Sequence, residues 1–282
     1  MTTDPLRFAE ACGAWAPLDL RIQLENGNLL AEGTLDAPNA IVGSTLDCDV
    51  TLTAPEVSPR HAILQMIGGR VVAADLGSAM GLFGPNGRVS YTWVDEESPV
   101  GIGPFYLSLC GSPGDSAVVP GNPLIPDPVA LAALPKVDVQ FLKGKAGRAE
   151  WTVSRIMTFV GRDKACKLGL TAEDVADFHC YLLLTPRGLW VVDLLTPGGI
   201  KVNGEPVRFC LVNEQDVVEV GRFRLGFAYP NGLPEQPETV IPLIADSLPV
   251  MTPPRPRGMV VTLPGPTVIR PPDTNPAVSE QD

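Results

Sequence analysis

One pattern of residues occurs twice in this chain, and the second copy follows the first at a constant distance. The two histidines of the sequence, His61 and His179, are 118 positions apart. Identical residues recur at that distance without a gap: Gly43 and Gly161, Leu52 and Leu170, Val57 and Val175, Leu64 and Leu182, Asp75 and Asp193, Gly81 and Gly199. So many matches at one offset predict a duplicated domain.

The residues between these markers predict β-structure. Short apolar runs alternate with glycine and proline, and we expect strands at residues 40–42, 61–67, 70–74, 180–184 and 189–192. Several short strands separated by turn residues are typical of an all-β sandwich. Helical periodicity is short, and one brief helix is expected in each of the stretches 5–15 and 128–134.

A chain of 282 residues can hold two such sandwiches with connecting segments. We expect an N-terminal segment at 1–17, a first sandwich at 18–111, a Pro-rich linker at 112–136, a second sandwich at 137–230 and a Pro-rich tail at 231–282. Because proline removes a backbone donor and fixes φ, a semi-rigid linker and a disordered tail are predicted. A second interpretation of the tail stays open, in which apolar residues such as Met259 to Val261 add a strand to a partner or to a domain edge.

Charge and cysteine content exclude several classes of function. A net charge of −11 opposes general binding to nucleic acid or to an anionic membrane. Six cysteines without a close pair, together with two histidines, give no spacing typical of a metal site, and we expect neither a metal nor another cofactor. Without a leader-like start or a long apolar run, the sequence predicts a cytoplasmic protein with reduced thiols that act as small core residues.

Catalytic constellations are also missing from the sequence. Neither histidine has a second histidine or a cysteine at the spacing of an activated nucleophile. Asp75 and Asp193 hold one repeated position in separate copies and are interpreted as turn formers rather than as paired acid and base. The glycine-rich pieces lack the Lys-Ser/Thr ending of a phosphate loop. The chain is therefore predicted not to be an enzyme.

Both copies resemble a known family of domains. The first contains VGSTLDCDVTLTAPEVSPRHAIL at 42–64 and DLGSAMGLFGPNG at 75–87; the second contains VGRDKACKLGLTAEDVADFHCYL at 160–182 and DLLTPGGIKVNG at 193–204. The order of Gly-Arg, Ser-x-x-His, Asp-Leu-Gly-Ser and Asn-Gly is similar to that of the forkhead-associated domain. That resemblance implies an eleven-stranded β-sandwich that reads phosphothreonine peptides.

In this family the Arg after the first Gly and the Ser of Ser-x-x-His take the phosphate, the His braces the loop, and an Asn holds the peptide backbone. Neither copy has the whole set. The first has Ser44 in place of the Arg and Met80 in place of the Asn, and Arg60 or Arg70 are candidate replacements for the lost charge. The second keeps Arg162 but has Ala176 for the Ser and Gly198 for the Asn.

Carried over residue by residue, the resemblance predicts two groups of site residues. The predicted phosphopeptide ligands are Arg162, Lys164, Thr196 and Asn203 in the second copy, and Ser58, Arg60 and Ser78 in the first. His61 and His179 are predicted to brace the loops. The second copy is the better candidate because it retains the arginine, with further lysines nearby in sequence.

The leading hypothesis is a non-enzymatic protein-protein interaction adaptor in Ser/Thr-kinase signalling or in the assembly of a larger machine. Its partners would be proteins, including phosphothreonine-containing ones. The alternative is a phosphate-independent scaffold that has lost phosphate reading and contacts unmodified protein surfaces.

Overall fold

The chain forms two β-sandwich units of eleven strands each. The computed structural model describes residues 3–14, 17–110, 121–142, 150–235 and 259–263. The strands of the first unit are β1 (Leu18–Leu24), β2 (Leu29–Leu35), β3 (Asn39–Gly43), β4 (Val50–Thr53), β5 (Ala62–Ile67), β6 (Arg70–Asp75), β7 (Leu82–Gly84), β8 (Gly87–Val89), β9 (Tyr91–Val94), β10 (Val100–Ile102) and β11 (Phe105–Leu109).

The second unit repeats this architecture. Its strands are β12 (Asp138–Phe141), β13 (Glu150–Thr152), β14 (Met157–Gly161), β15 (Leu168–Gly169), β16 (Cys180–Thr185), β17 (Gly188–Asp193), β18 (Ile200–Val202), β19 (Glu205–Val207), β20 (Phe209–Leu211), β21 (Val218–Val220) and β22 (Phe223–Ala228). The predicted strand runs are confirmed in both copies.

The two sheets of each unit have the same strand order. One sheet runs β2-β1-β11-β10-β7-β8 in the first unit and β13-β12-β22-β21-β18-β19 in the second. The other runs β4-β3-β5-β6-β9 in the first unit and β15-β14-β16-β17-β20 in the second. The all-β, two-sandwich architecture predicted from the sequence is therefore confirmed.

Burial along the strands distinguishes the two sheets. In β1 the apolar residues Leu18, Leu20 and Ile22 are buried and alternate with more exposed ones, as expected for a strand with one face in a core. In β5, β16 and β17, by contrast, all residues are buried. Both faces of these strands are covered because the β5 sheet of the first unit and the β16 sheet of the second contribute to one continuous apolar cluster.

A helix at the N-terminus packs at this junction. Helix α1 (Pro5–Cys12) has Asp4 as its N-cap and proline in its first turn, two features that favour a helix start. Its Phe8 is fully buried in contact with two rings of the second unit, with ring centroids 4.6 Å from Phe209 and 4.8 Å from Trp190. The helix therefore joins its own end of the chain to the second sandwich.

Polar contacts at the junction satisfy groups that the packing buries. The hydroxyl of Tyr181 donates to the side-chain oxygen of Gln65, and the side-chain amide of Asn39 donates to the Tyr181 hydroxyl at 3.2 Å. Arg187 donates to Glu10 of α1 at 3.1 Å. Because buried polar groups without partners destabilise a fold, these bonds fix how the two units meet.

Two further segments lie outside the eleven-strand pattern that the two units share. Helix α2 (Pro128–Ala132) is capped by Asp127, and its Leu131 contacts the apolar clusters of both units. The two predicted short helices are thus confirmed, although Trp15 lies outside the described residues. Strand β23 (Met259–Thr262) pairs with β4, as the second interpretation of the tail expected. The tail predicted to be disordered, residues 231–282, is ordered at β23, and its residues 236–258 and 264–282 lie outside the described residues.

Candidate functional site

The candidate site of the first unit lies where the loops between β3 and β4, β4 and β5, and β6 and β7 meet. In the second unit the corresponding loops are those between β14 and β15, β15 and β16, and β17 and β18. In the first unit His61 is fully buried between two of these loops. Its ring Nδ1 accepts the backbone N–H of Ser58 at 3.1 Å, and its Nε2 lies 3.0 Å from the carbonyl oxygen of Gly81. The imidazole thus connects the loop before β5 to the loop before β7.

His179 makes the same two contacts in the second unit. Its Nδ1 accepts the backbone N–H of Ala176 at 3.0 Å, and its Nε2 lies 2.9 Å from the carbonyl oxygen of Gly199. An Nε2 that donates to a carbonyl and an Nδ1 that accepts an N–H define one neutral tautomer. Burial lowers the pKa of His61 below its ordinary value of 6.5, against the opposing effects of the Gly81 carbonyl and Asp75.

The aspartates that end β6 and β17 shape the next loop. Asp75 accepts the backbone N–H groups of Gly77 and Ser78 and the hydroxyl proton of Ser78. Asp193 accepts the backbone N–H of Leu195, which has a positive φ of 59°. Both carboxylates thus form turns, and burial raises the pKa of Asp193.

The predicted ligands of the first unit are mostly engaged within the protein. The Ser58 hydroxyl oxygen accepts the backbone N–H of Ala79 at 3.1 Å. Ser78 is buried, and its oxygen accepts the N–H of Gly81 at 2.8 Å. Arg60 forms an ion pair with Asp47 at 2.8 Å. Of these residues, Ser58 and Arg60 are the ones that remain partly accessible.

Arg70, the other candidate replacement for the missing arginine, does not lie at this site. It begins β6, whereas the loop end of that strand is Asp75, and its guanidinium carbon is 4.8 Å from the ring centroid of Trp93. A basic residue that the sequence analysis missed lies nearer: Arg88 packs over Gly81 and donates to the carbonyl of Ala79 at 3.4 Å. The feature that could have indicated Arg88 is the β7–β8 hairpin, which places Arg88 opposite Phe83 and beside the loop between β6 and β7.

In the second unit Arg162 forms a surface ion pair, the alternative to anion binding that the sequence left open, with a partner that the sequence did not identify. Its Nη2 lies 2.9 Å from Oδ1 of Asp177, and its side chain is 41% exposed. The backbone N–H groups of Arg162 and Asp163 donate to the carbonyls of Ala176 and Asp177 at 3.0 Å each. The backbone thus holds the arginine beside the turn that ends at His179.

The remaining predicted residues of the second unit differ in accessibility. Lys164 is exposed. Thr196 is buried, and among the described residues its hydroxyl has no hydrogen-bond partner. Asn203 adopts a positive φ of 54° in the β18–β19 turn, where its side chain donates to Asp216 and accepts the N–H of Val217. The structure therefore brings Arg162 to the surface of the site, whereas the Asn203 side chain connects its turn to the loop before β21.

An open pocket of about 490 Å³ lies at this end of the second unit. Its polar rim combines the cations Arg162 and Lys201 with the carboxylates Glu173, Asp174 and Glu219, and its floor includes Ala176, His179, Gly198 and Gly199. A rim with both signs can hold a ligand that carries an anionic group beside a cationic one.

Three other properties bear on what the described residues can do. Within the described ranges, no group of three or more His, Cys, Asp and Glu side chains lies close enough to hold a metal ion. Five of the six cysteines are buried, and burial raises the pKa of Cys166 to about 12. No helix in the part of the chain that the structure describes is long and apolar enough to cross a bilayer.

Comparisons with known proteins bear on the family. The forkhead-associated (FHA) domain model matches residues 40–103 and 158–221. Similar solved structures include Mycobacterium tuberculosis EmbR in complex with a low affinity phosphopeptide, with 18% identity, coverage of 35% of this chain and 25% of that chain, and a TM-score of 0.32. This chain therefore spans a quarter of the length of the EmbR structure.

Two further structures match about one third of the chain. The FHA-1 domain of Mycobacterium tuberculosis Rv1747 is 31% identical over 33% of this chain and 98% of that chain, with a TM-score of 0.28. The Slr1951 protein from Synechocystis sp. is 18% identical over 35% of this chain and 100% of that chain, with a TM-score of 0.32. A comparison with curated proteins gives no match.

The two family matches run from β3 to β10 in the first unit and from β14 to β21 in the second, and so include the histidine-braced loops of both. The resemblance inferred from the sequence motifs is thereby confirmed: this chain contains two forkhead-associated domains in tandem, matched at residues 40–103 and 158–221.

Proposed function

We propose that this protein is a non-enzymatic protein-protein interaction adaptor and that its second domain binds a phosphothreonine-containing segment of a partner. The observation that carries the proposal is the position of Arg162. Its side chain is 41% exposed at the rim of the pocket, next to loops that His179 holds in place. A guanidinium on a braced loop suits a phosphate because its donors match the phosphate oxygens.

The rest of the rim supports this assignment and restricts the ligand. Lys201 adds a second cation to the pocket, and the exposed Lys164 lies two positions after Arg162. Ala176 supplies no hydroxyl, and a hydrogen bond to a charged group contributes about 1.5 to 3 kcal/mol. The second domain therefore binds phosphothreonine more weakly than a complete reader, by about one to two orders of magnitude.

The carboxylates of the rim select the residues next to the phosphothreonine. Asp174 and Glu219 are partly neutralised by ion pairs with Arg222 and Arg224 at 2.9 and 3.4 Å. Together with Glu173 they still disfavour a peptide with acidic neighbours and favour one with a lysine or arginine beside the phosphate. The preferred ligand is thus a phosphothreonine flanked by a basic residue. Because such a ligand is made by a Ser/Thr kinase, the adaptor acts in Ser/Thr-kinase signalling, and we place it in the cytoplasm.

Roles for the other predicted residues follow from their accessibility. In the first domain Ser58 and Arg60 form a weaker second site, to which Arg88 contributes a guanidinium. Ser78, Thr196 and Asn203 shape the loops and the hairpin that flank the sites rather than contact the phosphate.

A second candidate function is a phosphate-independent scaffold. The Arg162–Asp177 ion pair favours it, since the carboxylate already neutralises the cation that a phosphate would meet. In that case the partner contacts the same loops without any phosphate, and affinity does not change when its threonine is modified.

The two candidates are separated by titrating the full chain with a degenerate peptide library in phosphothreonine and threonine forms. For the phospho-reader we expect saturable binding of the phosphorylated library alone and a loss of about tenfold or more in Arg162→Ala. Lys167→Ala is the matched control, because it removes an exposed cation from the β14–β15 loop that also contains Arg162. This variant is expected to bind like the wild type. Equal binding of both library forms, unaffected by Arg162→Ala, supports the scaffold and contradicts the phospho-reader.

A further inference from the structure

We propose that the outer edge of β4 in the first domain is a second protein-binding site, separate from the loop end, and that its resident ligand is the chain's own strand β23. The strand adds to the sheet in parallel, with Met259 opposite Val50 and Thr262 opposite Thr53. The backbone N–H of Met259 donates to the carbonyl of Asp49 at 3.1 Å. Such strand addition obtains affinity from the backbone and specificity from alternate side chains.

The side chains of β23 show what the edge selects. Val261 is 4% exposed and belongs to the apolar cluster of the first domain, whereas its neighbour Val260 is 56% exposed. The side chain at the first position, Met259, contacts β2, and its Cε occupies the space that a Cβ on Gly33 would need. The site therefore takes a long flexible side chain at its first position and a branched apolar one at its third.

A comparison with the second domain explains why only the first domain offers this edge to the strand. Gly33 lies opposite Leu20 in the β1–β2 pair, and Trp151 lies opposite Val139 in the corresponding β12–β13 pair. The Trp151 side chain packs against its own domain's core, in the place where the first domain has a glycine. Strand β15, the counterpart of β4, has two residues and pairs with β14 alone among the described residues. The second domain fills with its own tryptophan the space that the first leaves for Met259.

A ligand on the same chain also controls access by other ligands. Residues 236–258 connect the second domain to β23. Tethering supplies an effective concentration on the order of millimolar for short linkers. A separate peptide of the same pattern therefore competes poorly until the strand leaves the edge. The partner that fits is an extended apolar segment with the pattern of residues 259–262.

The proposal is tested on the full chain with two variants that differ in one position of β23. Val261→Asp places a charge in the core and is expected to release the strand. Val260→Asp, the matched control, places the same charge on the exposed face and is expected to leave it bound. The probe is a fluorescein-labelled peptide with the sequence of residues 257–264, followed by anisotropy. We expect Val261→Asp to bind it at least about tenfold more tightly than Val260→Asp and the wild type.

A variant in the first domain, which accepts the strand, tests the proposal without changing the sequence of β23. Gly33→Trp places at this position the side chain that the second domain has there, Trp151, and is expected to release the strand without admitting the probe. Amide hydrogen exchange at residues 50–53 should rise in Gly33→Trp and Val261→Asp, while it stays unchanged in Val260→Asp. Equal probe binding by both valine variants, or unchanged exchange in Gly33→Trp, would overturn the proposal. So would a wild-type dimer that Val261→Asp converts to monomer, because the strand would then come from a second copy.

Discussion

The carboxylate of Asp177 lies 2.9 Å from the guanidinium of Arg162, inside the turn that ends at His179. The first domain has Pro59 at the position of the aspartate and Ser44 at that of the arginine, so the cation and its acidic partner are lost together. The pair therefore forms a local unit in the second domain, in which a carboxylate holds the arginine where a phosphate would bind it.

We predict that Asp177→Asn raises the affinity of the full chain for a phosphothreonine peptide. An exposed ion pair contributes about 0.2–1 kcal/mol, so the gain should reach at most about fivefold. Isothermal titration calorimetry measures it. In the Arg162→Ala background the same substitution should give no gain, because the competing carboxylate then has no arginine to neutralise. A gain that persists there would assign the effect to general charge.

The junction between the domains passes close to the first candidate site, at Gly77. This residue has a φ of +72°, and a Cβ built on it would lie 2.9 Å from the ring of Phe178, next to His179 of the second domain. Gly77→Ala should therefore lower the free energy of unfolding by more than the roughly 1 kcal/mol that a left-handed alanine costs.

Gly87→Ala is the control for Gly77→Ala. Its φ is +103°, but no atom lies within 4 Å of an added Cβ, so it carries backbone strain without the contact. Urea unfolding of both variants measures the difference. Equal losses of stability would show that Phe178 moves away without cost.

Helix α1 supplies a further prediction. Phe8→Ala removes a fully buried ring that contacts Phe209 and Trp190, and a loss of about 3–5 kcal/mol in the free energy of unfolding is expected. Small-angle X-ray scattering should show an increased radius of gyration as the two domains separate. Arg7→Ala, on the partly exposed face of the same helix, should change neither quantity. An unchanged radius in Phe8→Ala would mean that the two sheets hold the domains together without the helix.

The sequence motifs predicted the loops of each domain better than the contacts between domains. The repeated histidines and aspartates act within short loops, where spacing largely determines which backbone groups are in reach. The apolar run from Ala62 to Ile67 predicted a strand, but periodicity does not reveal which surface covers its second face. In the structure the second domain covers it.

The contacts that the sequence did not predict depend on side-chain directions and on partners that are distant in the chain. Asp177 precedes His179 by two positions, and nothing in that spacing determines that its carboxylate turns toward Arg162. The sequence left open that Met259 to Val261 add a strand to a domain edge, but the choice of edge depends on Gly33, more than two hundred residues earlier in the chain. A single sequence does not identify that distant partner.

The buried imidazole of His61 makes the stability of the first domain depend on pH. Burial places the pKa of His61 in the folded protein below the value of 6.5 that applies to the unfolded chain. Between the two values the unfolded state binds more protons, so the free energy of unfolding decreases as the pH falls through about 6.5, by at most about 1.4 kcal/mol per pH unit. His61→Gln removes this titration while leaving a side chain that can donate and accept. Urea unfolding of the full chain at pH 7.5, 6.5 and 5.5 should therefore give a smaller decrease for His61→Gln than for the wild type, on a lower overall stability. Parallel decreases in the two proteins would show that other groups cause the pH dependence.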